Sequence, residues 1–292
     1  MREIKRILAG GDIVGESAVW DDLRQQLLWV DIVGRRIHAL KLPEETHRVW
    51  QTAELVTSLG LRRGGGAVVG FRRHVALWDL EDSFEPLAMI EPDVPDNRLN
   101  EGRVGPDGAF WVGTMQDNIA STGEPKPMDR ASGAFYRVGS DGRVDRLTPP
   151  DFGICNTMAW TAQGRFLCAD TLANQLYSYR WDGKRLTDRQ PFASHARGLP
   201  DGSALDEEGC LWNARVGGEC VVRFSPGGEV LDVIDLPCSA PTSCAFGGAD
   251  RRTLFVTSAR FGLPDDRKGS LDEGALFAVS AGVAGLSENL FA

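Results

Sequence analysis

The stretch Gly105-Pro-Asp-Gly-Ala-Phe-Trp-Val-Gly-Thr114 sets a tight turn against a run of apolar, aromatic and β-branched residues. Glycine, proline and aspartate favour the turn, and Ala109 to Thr114 suit a pleated surface, so the segment reads as the bend and second arm of a hairpin. Outward from it the figure recurs: Thr161-Ala-Gln-Gly precedes Arg165-Phe-Leu-Cys-Ala-Asp, Asp206-Glu-Glu-Gly precedes Cys210-Leu-Trp-Asn-Ala-Arg, and Gly247-Gly-Ala-Asp precedes Thr253-Leu-Phe-Val-Thr-Ser. Leu27-Leu-Trp-Val-Asp-Ile and Ala67-Val-Val-Gly-Phe complete a set of six runs whose starts lie 40, 42, 56, 45 and 43 residues apart. That spacing matches the roughly 40 to 50 residues of a propeller blade.

A further strand follows each run, for example Arg36-Ile-His-Ala-Leu, Ala134-Phe-Tyr-Arg-Val and Gln175-Leu-Tyr-Ser-Tyr, so each repeat reads strand, turn, strand, turn, strand. No stretch keeps helical spacing of apolar residues without a Gly or Pro interrupting it, which disfavours α/β folds. A two-sheet sandwich is the competing architecture, but a regular period is the mark of radial repetition. The expected fold is therefore all-β, a six-bladed β-propeller with residues 1–292 as one domain. Ile4-Lys-Arg-Ile-Leu and Leu286 to Phe291 are expected to pair with sheet ends and close the ring.

Composition is that of a globular chain, 42% hydrophobic and 25% charged, with 34 Gly and 15 Pro spread along its length. A formal charge of −9 repels nucleic acid and anionic lipid, so neither is an expected partner. No run of about 18 apolar residues is present, and the N-terminus lacks an apolar leader; a cytoplasmic location is expected. Six cysteines form no Cys-x-x-Cys pair and read as small strand residues of a reduced protein. The four histidines, His38, His47, His74 and His195, show no ligand spacing and suit solvated positions.

Aligning the repeats on their second strands puts Ser58, Asn100, Asn156 and Asp201 in register nine residues upstream; the first and last repeats have longer turns, and there the nearest polar residues are Glu16, eleven back, and Ser243, ten back. Inner strands line a propeller's channel, so these positions predict a ring of oxygens about the axis. Two acids converging there would raise each other's proton affinity unless a cation neutralised them. Hard oxygen donors without His or Cys suit calcium, magnesium or manganese, and leave zinc and iron open. One divalent ion in a central metal site is the expected cofactor. Water-solvated channel residues are the alternative.

These features resemble the regucalcin (senescence marker protein), gluconolactonase and luciferin-regenerating family of six-bladed propellers. The resemblance rests on Gly15-Glu16-Ser-Ala-Val-Trp20, Asp96-Asn-Arg98-Leu-Asn100-Glu101-Gly102, Gly113-Thr-Met115, Cys155-Asn156-Thr157, Pro200-Asp201-Gly202 and Thr242-Ser-Cys-Ala-Phe-Gly-Gly248. It implies metal ligation by Glu16, Asn156 and Asp201, a catalytic general base at Asp201, and substrate contacts from Arg98, Asn100 and Asn118. The chain departs from the family pattern at Ser17-Ala18, where Gly-Pro often stands, at Glu101, where aspartate is usual, and at Thr157, where glycine is common. Asn118 falls where an acid often contacts substrate.

The implied reaction is metal-dependent hydrolysis of a sugar lactone (glucono-, galactono-, arabinono- or xylonolactone) to its aldonic acid. A non-catalytic calcium-binding regulatory protein and a metal-dependent phosphotriesterase or esterase are the alternatives. The latter would want a more apolar pocket than Arg98 and Asn100 provide. The 56-residue interval contains an insertion, Gln116 to Ser132, with little strand character, expected to act as a lid over the pore.

Overall fold

The computed structural model describes residues 2–292, the side chain of Lys268 apart. Six four-stranded antiparallel sheets succeed one another along the chain as blades 1 to 6. Their inner strands are Gly15–Asp21, Val56–Leu61, Asn97–Val104, Cys155–Trp160, Leu199–Leu205 and Pro241–Gly247. These strands are buried almost throughout, because they are enclosed on every side by neighbouring blades. The hairpins predicted from the six runs and their turns are present, as is each third strand.

Each blade also carries a fourth, outer strand that the periodicity did not reveal. Thr46–Gln51, Phe84–Met89 and Val230–Asp235 are mostly exposed, so burial imposes no apolar pattern on them. In blade 6 the fourth strand comes from the other end of the chain: Ile4–Leu8 pairs antiparallel with Leu276–Ser280, closing the ring as expected. Leu286 to Phe291 adds no strand to a sheet but meets the inner-strand ends, with one parallel bridge between Phe291 and Arg62. It runs across the end of the channel reached by the last residues of the inner strands, held by Leu286 N to Leu205 O (3.1 Å), Phe291 N to Leu61 O (2.8 Å) and Ala292 N to Gly108 O (3.0 Å). The single helical turn, Asp265–Lys268, lies in a blade 6 loop.

Aromatic side chains fill the wedges between blades. Trp111 of blade 3 meets Trp160, Phe166 and Trp181 of blade 4 at 4.8–5.2 Å between ring centroids, and Trp20 of blade 1 stacks on Phe255 of blade 6 at 5.8 Å. Each such ring contributes about 1.5–3 kcal/mol on burial. All six cysteines are free and buried. His38 is buried too, contrary to the solvated role expected of it: it stacks on Trp29, pairs Nδ1 with His47 Nε2 at 3.0 Å and lies 3.3 Å from Asp12.

One irregularity repeats in every blade. Pairing of inner and second strands shifts register between Glu16 and Val19, Val56 and Ser58, Leu99 and Gly102, Asn156 and Met158, Pro200 and Ser203, and Pro241 and Cys244. A bulge re-aims the side chains beside it. Bulges at one level in all six blades re-aim the inner-strand side chains beside them, Glu16, Asn100, Asn156 and Asp201 into the cavity.

Candidate active site

At the end of the channel where the inner strands begin, a cavity of about 170 Å³ is lined by Glu16, Arg98, Asn100, Asn118, Asn156 and Asp201, together with apolar side chains. Every residue expected to hold metal or substrate therefore lines a single cavity. Ser58 and Ser243, read as ring members, do not: both are fully buried, and Ser243 Oγ accepts from the Ala18 amide at 3.2 Å between adjacent inner strands.

The two acids face each other. Burial, then Asp201 and Glu101, push the Glu16 carboxyl well above its usual range; burial, then Glu101, do the same to Asp201. The Asp201 charge raises the proton affinity of Glu16, so the two carboxyls resist being ionised together. Glu16 Oε2 also accepts from the Ser17 amide at 3.0 Å, whereas Asp201 Oδ1 has no partner despite being buried.

Asn156 is held by its neighbours. Its Oδ1 accepts from Asn100 Nδ2 at 2.8 Å and its Nδ2 donates to Thr171 Oγ1 at 2.8 Å. A carbonyl oxygen has a second lone pair, so Asn156 can still act as a ligand. Asn100 spends the rest of its amide on Cys155 O (3.1 Å) and Arg98 Nη1 (2.9 Å). Its contacts make it a support for Asn156 and Arg98 more than the free substrate donor expected.

Two face-to-face carboxylates, one with an orphaned oxygen, beside an oriented amide oxygen form an oxygen-donor set suited to a hard divalent cation. Asp206, Glu208 and Cys210 also bring ligand atoms within 4.8 Å of one another. There, however, Asp206 Oδ2 accepts from Trp212 Nε1 and from Arg223 Nε and Nη2 at 2.6–2.9 Å, and Oδ1 caps the turn amides of Glu208 and Cys210. That carboxylate is neutralised and saturated, and the cluster is a turn anchor.

Sequence reasoning missed Arg72, Asp117 and the apolar wall. Asp117 is buried at the base of the insertion, where it accepts from Arg72 Nε at 2.8 Å and from the Ile119 amide at 3.0 Å. Beyond it, residues 118–126 fold back as a short hairpin, with Lys126 N donating to Asn118 O at 2.8 Å and a bridge between Ile119 and Pro125. Its tip reaches blades 1 and 6: a Cβ on Gly123 would meet Val33 at 3.5 Å, and one on Gly262 would meet Pro125 at 3.7 Å. Val14, Ile32, Ile119, Ile154, Val216 and Phe261 line the cavity beside the polar groups, making it more apolar than Arg98 and Asn100 alone suggested.

Fold and site define a six-bladed propeller with an acidic oxygen-donor centre at one mouth. The chain belongs to the SMP-30/Gluconolactonase/LRE-like family, whose model matches residues 14–260. It is 35% identical to the 6-deoxy-6-sulfogluconolactonase of Pseudomonas putida over 99% of this chain and 98% of that one. It is 34% identical to the L-arabinolactonase of Azospirillum brasilense over 96% and 92%. A calcium-binding protein, regucalcin, from Agrobacterium tumefaciens superposes with a TM-score of 0.90 at 27% identity, covering 100% of this chain and 98% of that one. No helix among the described residues is long and apolar enough to cross a membrane.

Proposed function

We propose that the protein hydrolyses a sugar lactone to the open aldonic acid, with Glu16, Asn156 and Asp201 holding one divalent cation. The observation that carries this reading is the Glu16–Asp201 pair, buried face to face with one carboxylate oxygen left without a partner. Relatives named for lactone hydrolysis over nearly the whole chain support the reaction, and a structural relative described as calcium-binding supports the ion.

The chemistry supplied by a divalent cation in this position is Lewis acidity toward the ester carbonyl. Asp201 accepts a proton from the attacking water at Oδ1. Asn100 fixes Asn156 by its amide hydrogen bond, and Arg98 and Asn118 present N–H groups to ligand oxygens. Ile32, Ile119 and Phe261 cover the cavity and limit competing solvent. The cavity lies below the roughly 300–1,000 Å³ of drug-sized sites, which suits a monosaccharide lactone.

Proton release from a panel of five- and six-membered aldonolactones, corrected for spontaneous opening and measured with and without chelator, tests the reading. Glu16→Gln and Asp201→Asn should each lose several orders of magnitude in rate, as expected of groups that act in the transition state. Chelator-insensitive turnover would remove the metal from the proposal, and no turnover of any lactone would remove the reaction.

A further inference from the structure

The Arg98–Asn118 end of the cavity offers hydrogen-bond donors with no acceptor to match them. Arg98 is 5% exposed and spends four of its five N–H bonds within the protein: Nε and Nη2 on Asn118 Oδ1 (3.3 and 2.9 Å), Nη1 on Leu99 O (2.8 Å) and Asn100 Oδ1 (2.9 Å). The second Nη2–H meets no acceptor among the described residues. A guanidinium cannot accept, so Asn118 must turn its carbonyl toward Arg98, which leaves its Nδ2 as the free side of the amide. That NH2 likewise has no acceptor among the described residues. Three N–H bonds are therefore available where Arg98 and Asn118 line the cavity.

The charge is unmatched as well. Its ion-pair partner among the described residues is Asp117, 3.9 Å from Nε, but Arg72 and the Ile119 amide already occupy that carboxylate. Burial lowers the Arg98 pKa to about 10, against the opposing charges of Asp117, Glu16 and Asp201. A divalent cation would take up the charges of Glu16 and Asp201, and Arg72 takes up that of Asp117, so every acceptor hydrogen-bonded to the Arg98 guanidinium is a neutral oxygen.

Resting on the lactonase reading, we infer that the lactone this site prefers carries an anionic group, a carboxylate, sulfonate or phosphate ester, remote from the ring ester and seated on Arg98 and Asn118. A hydroxyl there would accept one N–H but leave its own proton without an acceptor. An oxyanion has no proton to place and several oxygens to offer, and hydrogen bonds to charged acceptors are the stronger kind. The two lactonases compared above are named for a sulfonated and a neutral sugar, so their names do not choose between the classes.

The test compares glucono-1,5-lactone with analogues of the same ring bearing a carboxylate, a sulfonate or a phosphate ester at C6, in wild type and Asn118→Asp. At least one anionic lactone should exceed the neutral one by ten-fold or more in kcat/KM, and Asn118→Asp should reverse that order. Calorimetric binding of glucose, glucuronate and 6-deoxy-6-sulfoglucose, to protein with and without added metal, reads the subsite without turnover. The anionic sugars should bind at least ten-fold tighter, with the advantage shrinking at high salt and lost in Asn118→Asp. Equal or better turnover of the neutral lactone overturns the inference and leaves the lactonase reading intact. If no lactone is turned over, the lactonase reading fails, and equal binding of the three sugars then overturns the subsite as well.

Discussion

Ser17 and Thr157 follow the two ligand candidates Glu16 and Asn156, and both adopt left-handed backbone, with φ of 53° and 51°. Glycine would take this conformation freely; a β-branched threonine pays about 1–3 kcal/mol for it. Their hydroxyls offset the strain by tying adjacent blades together: Ser17 Oγ accepts from Leu59 N at 3.0 Å, and Thr157 Oγ1 donates to Asp201 O. The departures from the family pattern at these positions thus replace backbone freedom with a bond that holds the neighbouring inner strand. At the ligands themselves the raised proton affinities of Glu16 and Asp201 set a pH dependence. The folded form keeps a proton that the unfolded chain releases above about pH 4, so this pair loses stability as pH rises from there toward the raised folded values, at about 1.4 kcal/mol per proton and pH unit. His38 acts in the opposite sense: burial lowers it to about 3, so its contribution is lost as pH falls below about 6.5. Chelated wild type should therefore fall further in Tm than Asp201→Asn between pH 5.5 and 8, and added divalent ion should flatten the wild-type curve. Parallel curves for the two proteins would contradict a raised proton affinity at the pair.

At the scale of elements, the hairpin at residues 118–126 is pinned at its base by Asp117 and Arg72 and touches blades 1 and 6 at its tip. It spans the mouth that the other loops leave open, and Ile119, 3% exposed, forms part of the cavity wall. Replacing residues 120–126 with a short Gly-Ser turn should raise KM for lactones by about ten-fold or more through lost enclosure, with a smaller change in kcat, since binding contacts shared by ground and transition states act on KM. Steady-state kinetics over the lactone panel measures it, and an unchanged KM throughout would show that the hairpin does not cover the ligand. The outer strands play no such part. Their exposure is why they left no periodic signal.

Across the whole molecule, the channel is closed from below. The C-terminal segment brings Glu288 to Arg103, whose Nη1 donates to Glu288 Oε1 at 3.4 Å while Nη2 donates to Ala18 O at 3.3 Å. Glu101, one turn of the pleat above Arg103, is pushed up to about 7 by burial, with Arg103 opposing the shift, and its Oε2 has no partner. The acids at the mouth are thus coupled through Glu101 to the tail at the far end. Glu288→Gln should cost about 1–3 kcal/mol through a weakened bond to a buried charge, and a few degrees in Tm for a chain of this size. Thermal unfolding of this variant beside one truncated after Gly285 checks the assignment. A truncated protein as stable as wild type would show that the tail merely rests on the surface.

The sequence alone determined the blade count, the hairpins and the identity of the residues at the mouth, because strand burial and turn chemistry repeat every 40-odd residues and leave their pattern in Trp, Val and Gly. It also placed Asn100, Asn156 and Asp201 at equivalent positions, since register is a count along the chain, and pointed to Glu16 as the nearest polar residue of the first repeat. Which of the six polar positions reach the cavity was decided only in three dimensions: Ser243 is short enough to bond the neighbouring inner strand at Ala18, and Ser58 is fully buried with its hydroxyl against Thr57 of its own strand. Arg98 and Asn118 were both read from the sequence as candidate substrate contacts, but their arrangement as donors depends on Leu99 and Asn100 of one strand and Asn118 at the end of the next meeting the same guanidinium. The path of residues 286–292 was likewise beyond the reach of periodicity, because a tail that crosses blade ends instead of extending a sheet carries no alternation to read.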